Sequence, residues 1–270
     1  MDLTVSWMYA AECNTGGLSA WKDARGWAAA YPEVTGYCLP TLWKWDARDL
    51  ALRCADWLVS IQNSDGSWNG IDGKARPFDT AAIIEGMLFI WGTTKAPTYR
   101  ASVGKAMAWI DKQVSPEGYL YNSPDNRQPE IYNLRASSII NNKRELDYWR
   151  NKPLVGDRQR SHYLAYAIEG ALNFADKDFA MPYIELAYHS SNRMMPFYVD
   201  KEWNPQYLDY DVCSTAQMGI NFERVGLNGE KQYQAVSHHV HNNGGVPQST
   251  TDEREILWAA KFYLDLKEML

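Results

Sequence analysis

Six stretches of this chain share one design, and that design limits the fold more than any other feature. In each, a polar or ionisable residue stands just before a run of small and apolar residues. They are YPEVTGYCLPTL (31–42), RPFDTAAIIEGML (76–88), PEIYNLRASSII (129–140), RSHYLAYAIEGAL (160–172), LDYDVCSTAQMGI (208–220) and DEREILWAAKFYL (252–264). A small residue recurs a few positions into each: Gly36, Ala81, Ala136, Ala165, Ala216 and Ala259. Helices of this composition bury most of their surface, and the small side chains let neighbours approach closely.

Between them lie more amphipathic segments: DARDLALRCADWLVSIQ, PTYRASVGKAMAWIDKQ, FAMPYIELAYHS and KQYQAVSHHV. Glycine and proline punctuate the chain at intervals typical of repeated supersecondary units. Two helix ends even match in detail. ADWLVSIQNSDGSW (55–68) and MAWIDKQVSPEGYL (107–120) each carry a Trp, then a Gln, then a turn glycine, Gly66 or Gly118. Glycine is the residue for a turn that needs positive φ. No long β-branched alternation and no Asn-Gly hairpin is present. The expected fold is all-α: an α/α toroid of about six helical hairpins with an inner and an outer ring. One domain is expected over residues 1–270, with 1–30 as a lead-in. The hairpin at 130–160 should be the least regular, because Pro153 and Gly156 interrupt its outer half.

Bulk properties narrow the partners. The net charge is −6, with 27 basic residues dispersed along the chain, which argues against a nucleic-acid partner and gives no reason to expect a membrane. No basic, then apolar, leader opens the sequence, so a cytoplasmic location is expected. Cys13, Cys38, Cys54 and Cys213 lie far apart and form no ligand-spaced cluster, so free thiols are expected and neither a metal nor a cofactor. The aromatic content is high, with 12 Trp and 17 Tyr. Such rings serve either packing or stacking on flat ligand faces.

The matching words YPEVTGY, QNSDGSW, FDT, SHYLAYAIEG, CSTAQM, GGVPQS and WAAKF run from residue 31 to residue 262. In them the chain resembles the α/α-toroid glycan-processing group that contains the helical domain of glucuronyl C5-epimerases. It is similar also to uncharacterised toroid proteins of bacterial polysaccharide pathways. The resemblance implies a carbohydrate-active protein and leaves the reaction type open. QNSDGSW is also similar to the QW repeats of terpene cyclases, but DYDV (209–212) falls short of the Asp-rich motif that chemistry needs.

In a toroid whose inner helices run the same way, their N-termini converge on one funnel, and helix dipoles make its rim locally positive. By register the rim collects Glu33, Asp79, Tyr132, His162, Asp209 or Asp211, and Glu253 or Glu255. One turn deeper come Tyr37, Arg135, Tyr166, Gln217 and Trp258. Glycoside hydrolysis needs two carboxyl groups across the scissile bond, which Glu33, Asp79 and Asp211 can supply. Each of these acids also reads as a helix cap. His162 with Tyr163 or Tyr166 offers a second chemistry, proton transfer at a uronate in an epimerase or lyase, with Arg135, Arg160 or Lys261 holding the carboxylate. Trp27, Tyr37, Tyr132, Tyr166 and Trp258, with Arg135 and Gln217, are the expected substrate-binding set. A polysaccharide or oligosaccharide is the expected partner, and a non-catalytic glycan-binding module is the third reading. The sequence HHVH (238–241) suggests metal binding only weakly, since no acidic partner follows at supporting spacing.

Overall fold

In a computed structural model, which describes residues 1–190 and 193–270, the chain forms two concentric rings of helices. The helices are α1 (Leu3–Ala10), α2 (Pro32–Lys44), α3 (Arg48–Ser60), α4 (Pro77–Thr94), α5 (Pro97–Ile110), α6 (Asn133–Ile139), α7 (Lys143–Arg150), α8 (Ser161–Asn173), α9 (Lys177–Ser190), α10 (Val212–Arg224), α11 (Glu230–Ser237) and α12 (Leu257–Met269). The even-numbered helices pack each on the next, and α12 returns to α2, so the inner ring closes. Helices α3, α5, α7, α9 and α11 pack outside it. The sixth outer position is taken by α1, which lies against α12. Trp7 Nε1 donates to Glu255 Oε2 at 2.8 Å and Lys267 Nζ donates to Asp2 Oδ2 at 2.6 Å, fixing the lead-in segment to the end of the chain.

Composition explains the sorting. Residues 77–84 of α4 are buried on every side of the helix, whereas α7 buries only Glu145, Leu146 and Trp149. The inner helices touch through glycine. A Cβ on Gly36 would lie 2.6 Å from the Ile83 Cα, and one on Gly86 would collide with the Gly36 carbonyl oxygen. Pro40, inside α2, has no N–H to give that carbonyl, so the oxygen is left for the α4 backbone to approach. Gly170 of α8 meets the Leu134 backbone of α6 in the same way. In the hairpin at 130–160, α7 stops at Arg150 and the chain through Pro153 and Gly156 is irregular.

QNSDGSW is a staple between outer helices. Gln62 Nε2 donates to the Gly66 and Ser102 carbonyls, both at 2.9 Å, and Ser102 Oγ returns a bond to Gln62 Oε1 at 3.0 Å. Trp68 is fully buried and donates to the Leu58 carbonyl at 2.8 Å. Gly66 has φ +100° and Gly118 φ +102° at the matching turn.

Short strands dress the end where the inner helices begin. Strands β1 (Trp21–Asp23), β2 (Gly26–Trp27) and β7 (Glu255–Ile256) form one ribbon; β3 (Gln159–Arg160) pairs with β5 (Tyr198–Val199), and β4 (Met195–Pro196) with β6 (Tyr210–Asp211). Strands β3, β6 and β7 run directly into α8, α10 and α12, and so fix the residues at those helix starts. No helix among the described residues is long and apolar enough to cross a membrane.

Candidate active site

Prolines set the register of the two acids nearest the funnel. Pro32 and Pro77 open α2 and α4, so Glu33 falls second and Asp79 third in their helices. A capping side chain must precede the helix. Neither residue does, and neither helix receives a side-chain cap. The reading of Asp79 and Glu33 as caps is therefore corrected: Pro77 and Pro32 move each helix start upstream of its acid. Instead both carboxyls turn into a cavity, Glu33 only 8% and Asp79 only 4% exposed. Tyr31 Oη donates to Asp79 Oδ2 at 3.2 Å, and Tyr31 and Glu33 line the same cavity.

Burial, then the charge of Asp79, push Glu33 up to about 8. Burial likewise raises Asp79, to about 7, against the pull of Arg76, whose Nη1 lies 4.0 Å from it. Two acids buried beside each other in low dielectric lose their protons in two separated steps that belong to the pair. Near neutral pH the pair therefore keeps at least one proton, and Glu33 is pushed the higher of the two.

The cavity has a volume of about 250 Å³ and is lined by Tyr31, Glu33, Tyr37, Arg76, Phe78, Asp79, Tyr132, Arg160, His162, Tyr163, Tyr166 and Trp258. Five of the six inner helices contribute from their starts, in keeping with convergent N-termini. Aromatic rings make the walls. Phe78 meets Tyr132 and Tyr166 edge-on with centroids 5.0 and 4.9 Å away, and Tyr132 lies 4.8 Å from Tyr163. The Tyr132 hydroxyl is held outward by Asn122 Oδ1 at 2.5 Å. The Tyr37 and Tyr166 hydroxyls meet at 3.4 Å and close the floor.

His162 stands in this wall, 6% exposed, its ring 4.5 Å from that of Tyr166. Its Nδ1 lies 3.6 Å from Cys213 Sγ, and Gln217 is its other polar neighbour. Burial, then the Arg160 charge, hold its pKa well below the usual histidine value, so the ring is neutral at pH 7.

Several expected residues lie elsewhere. Asp211 is wholly buried and caps α10, accepting from Ser214 N at 2.9 Å; it does not line the cavity. Arg135 lies beneath the tyrosine floor, only 2% exposed, paired with Glu85 and with Glu169 at 2.9 Å. Gln217 donates to Glu169 Oε2 at 3.1 Å in the same layer. Arg135, Gln217 and Lys261 open on a second cavity, about 380 Å³, toward the C-terminal ends of the inner helices. Trp27 is 37% exposed and packs at 5.1 Å on Trp7, beside a separate surface cleft that includes Ile71.

Tyr31, Arg76 and Phe78 were missed by register alone. Tyr31 and Arg76 are the residues just before the opening prolines of α2 and α4, so position relative to those prolines is the signal that finds them. His241, read as lacking an acidic partner, has one in space: its Nδ1 lies 2.9 Å from Glu255 Oε1.

No protein-family model matches the sequence, and no curated protein does. Solved structures do match over nearly the whole chain. A novel α-amylase from Clostridium perfringens aligns at 8% identity with TM-score 0.77, covering 98% of this chain and 96% of its own. PssZ from Listeria monocytogenes aligns at 12% identity with TM-score 0.71, covering 97% and 93%. An unsaturated glucuronyl hydrolase responsible for glycosaminoglycan degradation, from Bacillus sp. GL1, aligns at 10% identity with TM-score 0.70, covering 98% and 93%. At such identities the likeness is one of fold, and that fold is the α/α toroid.

Proposed function

We propose that this protein is a glycoside hydrolase acting on an oligosaccharide or polysaccharide, with Glu33 and Asp79 as its carboxyl pair. The observation that carries the reading is a pair of buried acids, each feeling the other's charge, that turn into one aromatic cavity. Glu33, the more protonated member, is the general acid that protonates the leaving oxygen. Asp79, which accepts from Tyr31 and faces Arg76, is the ionised partner that attacks the sugar or activates water. Tyr37, Tyr132, Tyr163, Tyr166 and Trp258 supply ring faces for stacking, and the cavity has room for about one sugar ring. Relatives of fold that are named as an amylase and a glucuronyl hydrolase agree with this class.

Proton abstraction by His162 has less support, because Cys213 and Gln217 occupy its polar edge and burial keeps the ring from carrying charge. The test is reducing-end release from a panel of neutral and acidic glycans. Glu33→Gln should lose activity on natural linkages and keep it on aryl glycosides whose leaving group needs no proton. Asp79→Asn should lose both. Turnover unchanged in both variants ends the proposal.

A further inference from the structure

We propose that Arg160 is a specificity residue that selects sugars carrying an anionic substituent, a carboxylate or a sulfate. The assignment rests on the cavity being the sugar site proposed above. Of the three cations that sequence reading offered for this role, Arg135 and Lys261 are committed beneath the floor. Arg135 holds two glutamates, and Lys261 Nζ lies 2.8 Å from Asp265 Oδ2. Arg160 alone of the three lines the cavity.

Its surroundings are unusual for a half-buried arginine. Among the described residues its side chain makes no hydrogen bond, although a guanidinium carries five N–H donors. Its nearest acid is Asp211, with Nε 3.9 Å from Oδ2, and both of those atoms are buried without a partner. The plane is held instead by rings, 4.7 Å from Phe197 and 5.5 Å from Tyr163. Of its three nitrogens Nε is the one shut off from solvent without a partner, which leaves the terminal nitrogens as the reachable end of a side chain that lines the cavity. The other cavity arginine differs. Arg76 spends its fork on Asp72, with bonds of 2.9 and 2.6 Å.

A planar fork with free donors, pinned from behind by stacking, suits a two-oxygen anion better than a hydroxyl. The converging starts of α2, α4, α8 and α12 add positive potential to the same rim. Rings bearing a carboxylate or a sulfate would therefore be drawn in with that group toward β3 and the start of α8.

The experiment measures binding of matched sugars to the full chain by calorimetry or ligand-observed NMR: glucose against glucuronate and glucose 6-sulfate, and galactose against galacturonate. An acidic sugar should bind about tenfold or more tighter than its neutral twin, the scale of a charge-assisted hydrogen bond pair. Arg160→Gln should erase that difference, bringing the acidic sugar down to the affinity of its neutral twin. Added salt should weaken only the acidic member, which keeps the test decisive if the variant fails to fold. The glucuronate and sulfate arms separate the two anion types. Equal affinity for all twins, or a preference that survives Arg160→Gln, overturns the assignment. Acid-selective binding without bond cleavage would keep it and defeat hydrolysis; cleavage of neutral chains without acid preference would do the reverse.

Discussion

Replacing Glu33 with Gln should make the protein more stable in alkali, and the sign of that effect separates a buried acid from a helix cap. The Glu33 carboxyl titrates near 4.5 when unfolded and at about 8 when folded. Between those values the folded chain keeps a proton that the unfolded chain has released. Stability is therefore fully present below the lower value and falls as pH rises through the window. Each tenfold change in proton affinity is worth about 1.4 kcal/mol, so the isolated group would cost about 5 kcal/mol above the upper value. Asp79 bears part of the same electrostatic cost, since the two titrate as a pair. Discounting by half leaves about 2 kcal/mol, which moves Tm by about 4–8 °C in a chain of this length.

Glutamine cannot ionise, so the variant should melt near wild type at about pH 5 and above it by that margin at about pH 9. Thermal unfolding followed by circular dichroism across the range reads the difference directly, and comparing the two proteins cancels the other titrating groups. A first-turn acid serving the helix dipole predicts the opposite. Its loss would remove about 0.3–1 kcal/mol of stabilisation wherever it is ionised. A variant that melts below wild type at the alkaline end would refute the reasoning.

Asp211→Ala should act on the fold and not on the chemistry. Removing the α10 cap costs about 0.5–2 kcal/mol, visible as a lower Tm, while hydrolysis at saturating substrate stays within about threefold of wild type, the scale of a sub-kcal barrier change. Arg135→Met should be costlier, about 3 kcal/mol by chemical denaturation, because Glu169 is left without its partner beneath the floor. Raising its own proton affinity lets Glu169 neutralise, so that loss should shrink as the pH is lowered toward about 4.

What was legible in the sequence was periodicity and what it implies for packing. Evenly apolar runs with a small residue near the start declared six inner helices, and Gly36, Gly86 and Gly170 then became the points where backbones touch. The convergence of helix starts followed from connectivity alone. What register could not decide is the direction in which a polar side chain at a helix start turns, because one residue of offset exchanges a cap for a cavity wall. Asp211 precedes its helix and folds back on the Ser214 amide. Asp79 lies two residues inside its helix, since Pro77 claims the first position. The same offset of a few residues sent Arg135 and Gln217, one turn deeper, through the tyrosine floor to the other side. Proline position was thus the missing discriminator. Where proline opens an inner helix, as in α2 and α4, the acid behind it is freed from capping and buried against Tyr31. In α10, with no proline, the acid remains a cap. Two proline-opened helices lying side by side are enough to bring two carboxyl groups, neither used as a cap, into one cavity, and a pair of carboxyl groups is what acid–base chemistry on a glycosidic bond asks for.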